Sequence, residues 1–233
     1  MIEILVILGA LALLGWLLLY MFAQRRESGS LELIQRGNYL EAMAEAQKEI
    51  ASRPASPEPH LHRAVAAKLH GALEEALRSY RDVLRIDSDD AEAAEGTALC
   101  LTWLDRDLPE ARRLMERTIQ ARPEIQEFQA LVLAFILLRS GARDDAMRLF
   151  HDNQELLETR FEADYTDRDP LLAETLHLYG VMSEEAGKSD RAAKLYRQAA
   201  EWAPGSIFDR WSRERLQRLP TPTGQDPAAL PPE

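Results

Sequence analysis

Residues 176–204 read LHLYGVMSEEAGKSDRAAKLYRQAAEWAP, and this stretch decides the fold. Gly180 and Ala192 are small, so two antiparallel helices carrying them can cross closely. Tyr196, one helical turn after Ala192, fills the space beside that crossing. Gly187 supplies the turn between the two helices, because a residue without Cβ enters the left-handed region without a steric cost. Pro204 ends the second helix, having no N–H to continue the ladder.

Working outward, the same arrangement recurs. Alanines at the second-helix crossing are Ala42, Ala76, Ala111, Ala146 and Ala192, with steps of 34, 35, 35 and 46 residues. One turn further on stand Ala46, Tyr80, Met115, Phe150 and Tyr196, mostly large. Ala64, Leu99, Ala134 and Gly180 fall at the first-helix crossing, and Gly37, Gly71, Arg106, Gly141 and Gly187 at the turn. Leu99 and Arg106 make the third unit the most divergent. Pro54, Ser88, Pro123, Glu158 and Pro204 occupy the stop position. Ser30 reads as an N-cap for a shortened first helix through Gln35. Before the last unit, Asp169-Pro170 reads as an N-cap followed by proline at the first helical position.

The signature of Ala42, Ala76, Ala111, Ala146, Gly180, Ala192, Tyr196 and Pro204 resembles the tetratricopeptide repeat (TPR), a helix–turn–helix unit of about 34 residues. The expected fold is therefore all-α, a TPR-type helical-hairpin solenoid. Residues 31–54 form a degenerate first unit, and 56–88, 91–123, 124–159 and 170–204 are full units. Residues 160–169 are an insertion, either a longer helix plus loop or a rim of the binding groove. In 205–219, Ile207, Phe208, Trp211, Leu216 and Leu219 alternate with four arginines, which reads as an amphipathic capping helix. Residues 220–233 are a proline-rich tail without aromatics, expected to be disordered.

In front of the repeats, residues 4–22 contain no charge. As a helix they would measure roughly 28 Å, close to the hydrocarbon core of a bilayer. The flank before them is Met-Ile-Glu, without the basic residues of a cleaved leader, so 1–26 reads as one N-terminal transmembrane helix with its basic flank. Trp16 and Tyr20 lie toward the exit, where amphipathic rings favour the interface. Arg25 and Arg26 follow, and the positive-inside rule places them, the linker 27–30 and the repeats in the cytoplasm.

Composition narrows the chemistry. The formal charge over 233 residues is −11, so a basic footprint for nucleic acid is missing. Cys100 is the one cysteine, which excludes an intrachain disulfide and a cysteine-based zinc site. His60 and His62 are two apart and face different sides of a helix. No nucleophile motif or phosphate-cradling glycine loop stands in the sequence. No catalytic residue, metal ligand or cofactor is assigned.

In TPR proteins the first helices line a concave surface. By register, the resemblance implies a protein-binding groove of Leu61, Val65, Leu69, Thr97, Cys100, Trp103, Phe128, Leu131, Phe135, Leu138, His177 and Val181. It is apolar, suiting an amphipathic helix or extended peptide. Leu61 and Val65 stand where some relatives begin a cationic clamp for a C-terminal carboxylate. The anchor, arginine pair and repeats look like bacterial inner-membrane TPR regulators of lipopolysaccharide assembly, although the Cys-x-x-Cys module of those proteins is missing. The expectation is a membrane-anchored, cytoplasm-facing scaffold for a protein or peptide. The alternatives are a periplasm-facing chaperone-like TPR protein and, third, an enzyme subunit.

Overall fold

A computed structural model describes residues 29–121, 126–163 and 168–220. Among these residues there are eleven α-helices and no strand. They run as hairpin pairs: α1 (Gly29–Gln35) with α2 (Tyr39–Ser52), α3 (Pro57–His70) with α4 (Leu73–Ile86), and α5 (Ala91–Trp103) with α6 (Leu108–Ala121). Then come α7 (Gln126–Arg139) with α8 (Arg143–Ala163), and α9 (Ala173–Glu185) with α10 (Ser189–Trp202). The last helix, α11 (Ile207–Arg218), has no partner of its own.

Side-chain volume explains the pairing. All five second-helix alanines are fully buried, and so are Tyr80, Met115, Phe150 and Tyr196 one turn on. Gly180 meets the Tyr196 ring so closely that a Cβ there would lie 2.5 Å from Cε1. A large ring against a bare backbone is what lets these helices approach. Gly96, which the repeat pattern does not mark, does the same for Tyr80, with a Cβ-to-ring distance of 2.3 Å.

The turns share one hydrogen-bond scheme. In the second unit, Ala72 N donates to Ala67 O and Gly71 N to Lys68 O, the paired bonds of a Schellman motif. The same pair recurs at Gly37, Gly141 and Gly187. The third unit differs from expectation. There the pair is Arg106 N to Leu101 O and Asp105 N to Thr102 O, so Asp105, not Arg106, takes the left-handed position, at φ 55°. Asp107 is also left-handed, at φ 37°, and its carboxylate accepts from Glu110 N at 3.1 Å at the start of α6. This turn is one residue longer than the others. Counting two helical turns back from it, the crossing residue is Ala98, fully buried, and not Leu99. The unit's apparent divergence is a one-residue shift.

Ser30 lies inside α1 and is fully buried at the same distance before Gly37. It is the first unit's crossing residue rather than an N-cap, bonded to Glu49 and to His62 Nδ1 at 3.1 Å. Helix α8 continues through the stop position at Glu158 to Ala163, twenty-one residues in all, so it takes in the first residues of the insertion. Asp169 does cap the next element: its carboxylate accepts from Leu171 N at 2.9 Å, and Pro170 opens a 3-10 turn leading into α9.

The first helices of successive pairs stack on one another, α1 on α3, α3 on α5, α5 on α7 and α7 on α9. Helix α11 then packs on α9 and α10 and also reaches α3 in the second unit. The start of the solenoid touches its end: α1 contacts the 3-10 turn, and the loop at Gly37 and Asn38 lies beside Gly205. The superhelix thus closes on itself within one turn. No helix among the described residues is long and apolar enough to cross a membrane, and residues 4–22 and the tail lie outside them.

Candidate functional site

The inner face is built from α3, α5, α7 and α9. Leu69, Thr97, Cys100, Leu131, Phe135, His177 and Val181 of the expected groove are buried, whereas Leu61, Val65, Trp103, Phe128 and Leu138 are half-buried. The twelve positions therefore divide into a closed floor and a partly open rim.

The inner face converges on Trp103 at the end of α5. Its ring lies 4.5 Å from Phe135, 5.8 Å from His177, 6.2 Å from Phe208 and 4.6 Å from Trp211, centroid to centroid. These are offset and tilted contacts of the kind aromatic quadrupoles favour. Phe208 and Trp211 belong to α11. The helix expected to cap the last unit also inserts its aromatic face into the concave side, against Trp103 and His177.

Polar contacts hold α11 there. His177 Nδ1 and Ser212 Oγ are 2.8 Å apart, both buried. Arg215 donates to Glu184 at 3.2 Å, and Glu184 also accepts from Tyr196 Oη at 2.8 Å. Arg210 reaches His70 O at 3.4 Å, at the end of α3. The N-terminus of α11 is capped by Ser206, whose hydroxyl accepts from Asp209 N at 3.1 Å.

The His177–Ser212 distance is that of a base and its nucleophile, but the chemistry is wrong. Burial, and then the Arg215 guanidinium, push the imidazole down to about 3. It is neutral at any ordinary pH and too weak a base to take a hydroxyl proton. Cys100 is equally inert, because burial raises its thiol to about 12. Among the described residues no group of three or more metal-ligating side chains comes together. His60 and His62 point apart, toward Pro54 O and Ser30.

A feature that sequence reading missed lies beside the aromatic cluster. Lys68 of α3 and Glu174 of α9 form a buried ion pair across the interior, and Trp103 Nε1 donates to the same carboxylate at 3.0 Å. Burial pulls the Lys68 ammonium down, but the Glu174 charge and hydrogen bond outweigh it and hold the group well above its usual value. The ammonium also sits 5.6 Å over the Tyr80 ring. Lys68, Tyr80 and Glu174 border a cavity of about 130 Å³ opening between α3, α4, α5 and α9. A lysine within the apolar run from Ala64 to Leu69 was the available signal; its partner, 106 residues away, had none.

No protein-family model matches the chain, and no curated protein matches it in sequence. Solved structures do match its fold. A tetratricopeptide repeat protein from Parabacteroides merdae superposes with a TM-score of 0.54 at 15% identity, covering 81% of this chain and 80% of the other. MamA from Desulfovibrio magneticus gives 0.51 at 16% identity, over 74% and 90% of the two chains. Another MamA structure gives 0.50 at 17% identity, over 75% and 94%. The fold is that of the tetratricopeptide repeat.

Proposed function

We propose that this protein is a membrane-tethered scaffold that binds another protein, with an amphipathic helix of the partner received on the concave face. The supporting observation is that this face already holds a helix: α11 seats Phe208 and Trp211 against Trp103 and His177. A surface able to order one amphipathic helix has the apolar floor and the flanking polar groups for another. Residues 4–22 provide the tether, and Arg25 and Arg26 favour a cytoplasmic domain at a bacterial inner membrane.

A photo-cross-linking residue placed at Val65 or Leu138 of the full-length protein, in its own membrane, tests this. Both positions should give the same discrete protein adduct, and Glu155, exposed on α8 of the outer layer, should give none. Adducts from Glu155 with none from Val65 or Leu138 would move binding off the concave face. The cross-linked material should stay in the membrane pellet through a carbonate wash; its release would remove the tether.

A further inference from the structure

We infer that α11 is an autoinhibitory occupant of the concave face, an internal ligand that must swing out before a partner helix of similar pattern can enter. This rests on the scaffold reading and adds its regulation. Among the described residues, large exposed apolar side chains are isolated: Leu40, Ile86, Leu156 and Leu171 stand on different elements. The aromatic floor is the apolar surface extensive enough to anchor a partner, and α11 covers it.

Helix α11, like α1, stands at an end of the stack. Helices α2 to α10 each lie between neighbours in the stack, whereas α11 comes after the last pair. It hangs on four residues, 203–206, with Gly205 at φ 78°. Its seat combines Ile207 and Phe208, buried in a core cluster with Ile34, Tyr39 and Leu69, and the half-buried Trp211 with a buried bond at Ser212 and solvent-accessible contacts of Arg215 and Arg210. When α11 leaves, the link between the second and fifth units persists through Lys68, Glu174 and Trp103. The ring can therefore stay assembled while its floor opens. The same contacts state the partner's chemistry. It is an amphipathic helix with adjacent aliphatic and aromatic residues, a second aromatic three positions after the first, a hydroxyl next to that, and an arginine one turn later, as in Ile207, Phe208, Trp211, Ser212 and Arg215.

The test needs no natural partner. A labelled peptide GSIFDRWSRERLQRLP, the sequence of residues 205–220, is titrated into the full-length chain in detergent. The Phe208→Ala/Trp211→Ala variant, with its own α11 weakened, should bind the peptide at least tenfold more tightly than wild type. A peptide carrying the same two alanines should not bind. Equal binding to variant and wild type overturns the proposal. So does loss of the cooperative melt in the variant, which would make α11 an integral part of the core. Hydrogen exchange on the unmodified protein gives a second reading. The α11 amides should exchange at least tenfold faster than those of α9, and equal protection overturns the proposal. Because the peptide is the chain's own, exchange of α11 can succeed while the adducts at Val65 and Leu138 fail, or the reverse.

Discussion

At the scale of single residues, stability rests on volume and on a few buried charges. The alanines at the crossings were legible because their size is a local requirement repeated at fixed spacing. The Lys68–Glu174 pair was not legible, because nothing in either neighbourhood specifies a partner 106 residues away. Glu174→Ala leaves a buried ammonium unpaired and should cost about 3–5 kcal/mol. The double replacement Lys68→Met/Glu174→Leu removes both charges and should recover most of that loss. Chemical denaturation of the three proteins measures it, and a double variant no better than the single one would show that the pair acts through more than charge compensation.

His177 gives a pH dependence of definite sign. In the folded protein its pKa is lowered to about 3, against the 6.5 of a free imidazole. Between these values the unfolded chain binds the proton and the folded one does not. Stability therefore falls as pH drops from about 6.5 toward 3, by up to ~1.4 kcal/mol per unit from this group. In His177→Gln that contribution disappears. The difference in melting temperature between wild type and variant should change steadily over that window, and a constant difference would mean that the imidazole is hydrated.

At the scale of elements, the turns were readable wherever glycine marked them and misread where it did not. The third turn uses two left-handed aspartates and one extra residue, and a pattern of fixed spacing then assigns its neighbours one place off. Asp105→Gly should relieve about 1 kcal/mol of backbone strain and raise the melting temperature by about 2–4 °C. The contact it gives up, Arg139 at 3.4 Å, is exposed and worth little. Gly141→Ala, at φ 83° with open space around it, should lower stability by about 1–2 kcal/mol through the backbone alone. A stabilising Gly141→Ala would contradict the assignment of that turn. Helix α11 was readable as amphipathic, but its periodicity does not say which surfaces it meets. That it touches α3 as well as α9 and α10 follows from the curvature of the whole stack.

At the scale of the whole molecule, the fold closes: its second and fifth units meet beside an aromatic cluster, with α11 lying over it. Of the twelve positions that the repeat register assigns to a groove, seven are buried. A repeat pattern describes an open solenoid, and occupation of its inner face depends on where the chain goes afterwards. The most direct measurement is a pulsed dipolar distance between spin labels at His70→Cys on α3 and Glu214→Cys on α11, both exposed positions, in the full-length protein. Cys100 is buried with its thiol raised to about 12, so it stays unlabelled. The closed arrangement predicts one short, narrow distance distribution at neutral pH. A long or broad distribution in a folded protein would place α11 away from α3 and contradict the account.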